Sequence, residues 1–163
     1  MTTSTQPIPD HFHTVTPHLV VDGAADAIEF YKRAFGAEEV MRMPMPGNPA
    51  RIMHAQLRIG SSSVMLADAF QGCSPGPDGS GKTPVTLHLY VEDADAAFAR
   101  AVAAGATVAM PLADMFWGDR YGQVVDPFGH RWSVATHVAD YTPEQMQKGA
   151  EEAFAAFAAA PQN

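Results

Sequence analysis

Thr86-Leu-His-Leu-Tyr-Val-Glu-Asp-Ala-Asp-Ala-Ala97 repeats, 70 positions on, Thr16-Pro-His-Leu-Val-Val-Asp-Gly-Ala-Ala-Asp-Ala27. Six of the twelve positions are identical: Thr16/Thr86, His18/His88, Leu19/Leu89, Val21/Val91, Ala24/Ala94 and Ala27/Ala97. Each copy reads as a strand running into a helix. Alternation over Thr14 to Val21 puts Val15, Pro17, Leu19 and Val21 on one face and Thr16, His18 and Val20 on the other. Two copies are too few for a solenoid. They point to a pseudo-symmetric pair of modules built on one plan.

Working outward, each copy opens a longer unit. Asp22 is expected to cap a helix whose apolar stripe is Ala24, Ala27, Ile28, Tyr31 and Phe35, and Gly36 stops it. Strands are expected over residues 40–45, 51–59 and 63–68, giving a β-α-β-β-β module over 14–68. Residues 69–83, rich in Gly, Pro and Ser, read as a linker. The second module, 84–137, repeats the plan: a strand over 84–91, a helix over 94–104 stopped by Gly105, and strands over 107–112, 120–125 and 130–136. Asp126-Pro-Phe-Gly129 carries the chemistry of a type I turn. Residues 1–13 read as a flexible leader. Residues 138–163 hold a last helix and a tail, opened by the capping box Thr142-Pro-Glu-Gln145. Its stripe, Met146, Ala150, Phe154 and Phe157, is expected to pack on the domain or on a partner subunit.

The totals set bounds. The 163 residues are 47% hydrophobic, enough for one packed domain of two half-size modules. A formal charge of −8 argues against a nucleic-acid surface or a basic membrane patch. No signal peptide or membrane-length apolar run is visible, so a cytoplasmic location is expected. The single cysteine, Cys73, excludes an internal disulfide and reads as a plain loop thiol. Gly76-Pro-Asp-Gly-Ser-Gly-Lys-Thr83 satisfies the phosphate-loop pattern. That chemistry needs a helix next, whose N-terminal amides hold phosphate. Pro84 and a period-2 run follow instead, so the match reads as linker.

Two groups of residues are candidates for chemistry. His18 and His88 occupy equivalent positions beside Thr16 and Thr86, and His54, Gln56 and Arg58 form the polar face of another strand. If those faces line one concave sheet, up to three imidazoles meet, able to bind a metal or to move protons near neutral pH. The plainer reading makes each a hydrogen-bonded part of a cavity wall. Trp117-Gly-Asp-Arg-Tyr-Gly122 is the second group. Arg120 is placed to hold an anionic group with Trp117 and Tyr121 stacking on it, or to pair with Asp119 or Asp126. His130 is expected to support the turn before it. Met65 and Met110 offer a soft apolar lining.

With Ala27-Ile-Glu-Phe-Tyr-Lys-Arg-Ala-Phe-Gly36, Met53-His-Ala-Gln-Leu-Arg-Ile-Gly60, Trp117-Gly-Asp-Arg120 and Asp126-Pro-Phe-Gly-His-Arg-Trp132, the chain resembles the vicinal oxygen chelate superfamily. That superfamily takes in glyoxalase, bleomycin-resistance protein and extradiol dioxygenase, and the resemblance is to its PhnB-like branch, over about residues 14–140. It implies an α+β fold: two modules forming a curved eight-stranded mixed sheet around a cavity, helices outside. It also implies a homodimer with clefts shared between subunits. Carried over by position, the metal ligands of metal-dependent relatives fall on Thr16, Met65 (or Leu66), Thr86 and Ser133, none a usual ligand for a divalent transition metal. The first expectation is therefore a protein that binds a small organic molecule without a cofactor. His18, His54 and His88 are its acid–base candidates, and Thr16, Gln56, Thr86, Trp117, Arg120, Tyr121 and Ser133 its binding residues. One alternative is a lyase, isomerase or dioxygenase with Zn, Ni, Fe or Mn on a displaced site at His18 and His88. The other is a sequestering resistance protein without catalysis.

Overall fold

A computed structural model describes residues 6–70, 75–80 and 82–160. Cys73 and Gly81 lie outside the described residues. The first module contains β1 (His18–Val21), α1 (Ala24–Phe35), β2 (Glu38–Met45), β3 (Asn48–Ile59) and β4 (Ser62–Asp68). The second contains β5 (Thr86–Tyr90), α2 (Ala94–Ala104), β6 (Thr107–Asp114), β7 (Asp119–Val125) and β8 (Arg131–His137). A third helix, α3 (Pro143–Ala159), follows. The described part of the phosphate-loop-like stretch contains no helix and leads into β5.

All eight expected strands are present, and they divide into two four-stranded sheets rather than one continuous sheet of eight. Their orders are β1-β4-β3-β2 and β5-β8-β7-β6. In each, the first strand runs parallel to the last and the other pairings are antiparallel. The registers match between modules. His18 lies opposite Met65 and Met65 opposite Gln56, while His88 lies opposite Ser133 and Ser133 opposite Gln123. The sequence repeat is thus a repeat of side-chain positions in space.

Alternation along the strands gives each sheet a helix-facing side and an open side. Leu19, Val21, Leu57, Val64 and Leu66 bury the first module's inner side, and Val124, Trp132 and Val134 the second's. Helices α1 and α2 also pack on each other, so both modules contribute to one core. At their junction the Phe35 and Trp132 rings are 4.5 Å apart, and Tyr31 and Trp132 5.4 Å. The buried Asp126 carboxylate is the polar centre of this junction. It accepts hydrogen bonds from Tyr31 Oη of α1 (2.7 Å), Trp132 Nε1 (2.8 Å) and the Phe128 and His130 amides (2.9 Å each). Burial and the adjacent Asp126 carboxylate hold the Tyr31 hydroxyl well above its ordinary pKa, so it stays a donor. His130 supports the turn through its amide, while its ring reaches across to the Val20 carbonyl at 2.9 Å.

One expectation needs correcting. Asp22 does not cap α1. The N-cap is Gly23, at φ +90, and the cap is supplied from β4: Asp68 Oδ1 accepts the Gly23 and Ala24 amides. A carboxylate 45 residues distant satisfies donors that a local side chain usually takes. Thr136, at the matching position of β8, does the same for the Ala94 amide of α2. In α3 the Thr142–Gln145 capping box forms as expected; no residue of this helix is buried within the chain, and Phe154 and Phe157 are exposed, so of the two expected packings the one on its own domain is not seen. Its close approach to the domain is at Gly149, where a Cβ would lie 2.6 Å from Phe116 Cβ. Among the described residues no helix is long and apolar enough to cross a membrane.

Candidate functional site

The open sides of the two sheets carry the polar and aromatic residues that the sequence singles out. On the first, His18 lies beside Met65 and Gln56, and His54 lies beside Met43 of β2. The His18 and His54 rings meet edge to face with centroids 5.9 Å apart. Partial burial, and then the neighbouring His54, lower the pKa of His18, which favours the neutral imidazole. Neither ring has a hydrogen-bond partner among the described residues.

The second open side is a connected network. His88 Nδ1 lies 2.7 Å from Ser133 Oγ, whose residue is 1% exposed beneath it. Tyr90 packs against the His88 ring at 4.5 Å, and Tyr121 stacks at 5.9 Å. Gln123 donates to Tyr121 Oη and accepts from Arg131 Nη1. At the far end the buried Asp119 accepts from Tyr90 Oη (3.0 Å), Trp117 Nε1 (3.0 Å) and His137 Nδ1 (2.8 Å). Burial pushes the Asp119 carboxyl up, but these three donors outweigh it and hold the group below its ordinary pKa. Gly118 lets this corner close: at φ +100 it receives the Val138 and Ala139 amides, and a Cβ would meet Ala139 O at 1.9 Å.

Two adjoining pockets lie along β1 and β5, the parallel edge strands. One, of about 250 Å³, is lined by His18, Leu19, Thr83, Val85, His130 and Arg131. The other, of about 300 Å³, is lined by His13, Val15, Ser63, Thr86, His88 and Trp132. Pro17 and Leu87 border both. The equivalent histidines therefore open onto one groove, but each is engaged within its own module, His18 with His54 and His88 with Ser133.

Arg120 is not brought to this site. It projects from the helix-facing side of β7 and is held by Asp95 at 2.7 and 3.0 Å, with Asp114 at 3.4 Å. Trp117 and Tyr121 pack on each other instead, at 5.4 Å. The cation that lines the groove is Arg131, which sequence reasoning missed together with Tyr90, Asp119 and Gln123. A signal existed for all four: Tyr90 and Arg131 lie two positions from His88 and Ser133, Asp119 and Gln123 two positions from Tyr121, and strand alternation puts them on the same faces. Arg58 pairs with Glu38, away from the groove.

The positions of the superfamily's usual metal ligands do not fit a divalent transition metal. The Thr16 hydroxyl donates to His13 O, Met65 offers only a thioether and Leu66 is core, Thr86 is exposed and Ser133 is bonded to His88. Among the described residues no three His, Cys, Asp or Glu side chains gather.

This paired-module fold, with its groove along two edge strands, defines the class of protein. Residues 9–134 match the family described as the Glyoxalase/Bleomycin resistance protein/Dioxygenase superfamily, and the chain belongs to it. It is 50% identical over 137 residues to an uncharacterised protein of Mycobacterium tuberculosis, covering 82% of this chain and 79% of that one. The structure is similar to that of TioX from a Micromonospora species, with a TM-score of 0.62 and 30% identity over 77% of this chain and 99% of that one. The PhnB protein of Bacillus cereus shares the fold, with a TM-score of 0.60 and 21% identity over 76% and 99% of the two chains.

Proposed function

We propose that this protein binds a small organic molecule carrying an anionic group in the groove between β1 and β5. The observation that carries the reading is Arg131, which lines the same pocket as His18 and has only the neutral Gln123 amide as partner among the described residues. A guanidinium pairs well with a carboxylate or phosphate. Pro17, Leu19, Val85 and Leu87 supply the apolar part of a pocket of the usual composition for small ligands. Beside it, His88 and Tyr90 offer proton-bearing and stacking groups.

The exposed apolar residues of both sheets, Met41, Met43, Tyr90 and Met110 among them, suit a second copy of the chain closing over the groove. A homodimer is therefore part of the proposal. Light scattering on the purified protein tests it, and a monomer at micromolar concentration would remove that part.

The binding test is a titration of Trp fluorescence with a panel of planar aromatic carboxylates and phosphate esters. Saturable quenching is expected for one class, lost in Arg131→Met and kept in Arg120→Met. Equal loss in both variants, or no response to any compound, would overturn the reading. Product analysis of the bound compound then separates an enzyme from a sequestering protein. A compound released unchanged places the chain with the drug-binding members.

A further inference from the structure

We propose that His18, His54 and Met65 form a site for a soft monovalent ion, Cu(I), on the open side of the first sheet. The site shares His18 with the groove of the organic ligand, but its three donors do not include Arg131. It rests on three observations.

The first is the spacing of the two imidazoles. Two rings that each place a nitrogen about 2 Å from one ion have centroids roughly 5–6 Å apart. His18 and His54 stand at 5.9 Å, and neither ring has a hydrogen-bond partner among the described residues. The second is the surroundings. Met65 is the cross-strand neighbour of both His18 and Gln56, and Met41 and Met43 follow on β2 opposite Gln56 and His54. Thioethers are soft donors that select Cu(I), and imidazole accepts copper as readily as zinc. The third is what the site lacks. No carboxylate or thiolate joins the pair in a three-ligand group among the described residues. A hard or borderline divalent ion thus finds only two good ligands here, while Cu(I) is well served by two nitrogens and one sulfur.

The second module shows why the feature is local. Its matching positions are His88, Tyr121 and Ser133, and the His88 ring is already bonded to Ser133. No thioether replaces that serine.

The test is a competition between protein and the chelator bicinchoninate for Cu(I), under dinitrogen with ascorbate. It uses the full chain carrying Cys73→Ser, because a thiolate elsewhere would bind Cu(I) by itself. The expected result is withdrawal of one equivalent per chain. His18→Ala and His54→Ala should each weaken binding by more than the roughly 10–100-fold that loss of an outer partner costs a metal site. Met65→Leu conserves volume and should weaken Cu(I) binding while leaving the unfolding midpoint unchanged. Met65→His should shift preference from Cu(I) toward Zn(II). Arg131→Met, which removes the proposed ligand's cation, should leave Cu(I) binding intact. The proposal is overturned if the Cys73→Ser protein withdraws no copper, if the histidine variants bind as well as their parent, or if Zn(II) competes equally at the unaltered site.

Discussion

The two modules share a backbone plan and differ in what they do with it. At matching positions the first has His18, Met65, His54 and Val20, and the second His88, Ser133, Tyr121 and Tyr90. In the second, the polar groups of the open side are bonded to one another, Ser133 on His88, Gln123 on Tyr121, Asp119 on Tyr90, Trp117 and His137, and Arg131 alone keeps a charge met only by the Gln123 amide among the described residues. In the first, two imidazoles face each other among methionines with their nitrogens unclaimed by other described residues. A satisfied network fixes side chains in place and suits a wall that positions a ligand. Unclaimed imidazoles are chemically available. One scaffold thus occurs twice, and side-chain choice at four positions separates a bonded network from a pair of imidazoles without partners among the described residues.

That contrast depends on the modules being held together, and Asp126 is where it breaks most easily. Asp126→Ala would strand donors from Tyr31 and Trp132 in the interior, along with two turn amides. Each buried donor left unpaired costs about 1–3 kcal/mol, so a total loss of roughly 3–5 kcal/mol is expected in urea unfolding. Tyr31→Phe removes one donor and leaves the carboxylate three others, so about 1 kcal/mol is expected. If Tyr31→Phe costs as much as Asp126→Ala, the joint between modules rests on the tyrosine and not on the carboxylate.

The capping pair sharpens the comparison at smaller cost. Asp68 Oδ1 serves Gly23 and Ala24, and its Oδ2 accepts the Ile52 amide at 2.7 Å. Thr136 takes the Ala94 amide and donates to Val91 O, both at 2.8 Å. Asp68→Ala loses a cap and orphans a buried strand amide, together about 2–3 kcal/mol. Thr136→Ala loses mainly the cap, about 1 kcal/mol. α2 has a second cap, Asp93, whose side chain accepts the Ala96 amide, whereas α1 has no side-chain cap of its own. Equal costs at the two positions would show that the modules share energetics as well as geometry.

Much of this fold was legible from periodicity. The 70-residue repeat, alternation in the strands and the glycine stops locate eight strands and two helices close to their observed bounds. The open faces were legible for the same reason: His18, His54, Gln56 and His88 all lie where alternation puts them. What the sequence hid depends on contacts between distant segments. Asp22 looked like the cap because capping is commonly local, and Asp68 is local only after β4 has folded beside β1. Arg120 looked like a ligand clamp because Trp117 and Tyr121 flank it in sequence. On a strand, however, Tyr121 points to the opposite face, and α2 brings Asp95 to the arginine. His18 and His88 looked like partners through symmetry, but each finds a nearer group on its own sheet. The exposure of α3 was hidden too, since an amphipathic stripe does not say whether a partner surface lies within the chain.

The smallest expected effect concerns the far end of the second network, where His137 bridges Asp119 at 2.8 Å and Asp140 at 2.9 Å. Asp140 and then Asp119 raise the imidazole above its ordinary pKa. A raised folded-state value means that the protonated ring favours folding. The contribution is complete below the unfolded pKa of about 6.5 and disappears as pH rises through the higher folded value. His137→Asn should therefore be less stable than the parent near pH 6 and should approach it at alkaline pH. Asp119 runs the other way. Its lowered pKa gives stability that is present above the ordinary carboxylate range and lost on acidification, so Asp119→Asn should flatten the acid limb of the stability curve. The imidazole is half exposed and solvent screens both of its pairs, so the His137 effect should be slight beside that of Asp126. Its value is diagnostic, because among the described residues no histidine of the first open side has a charged pair of this kind. His137→Asn should change the slope of stability against pH between 6 and 8. An unaltered slope would mean that the Asp119 and Asp140 contacts of His137 do not couple its protonation to folding.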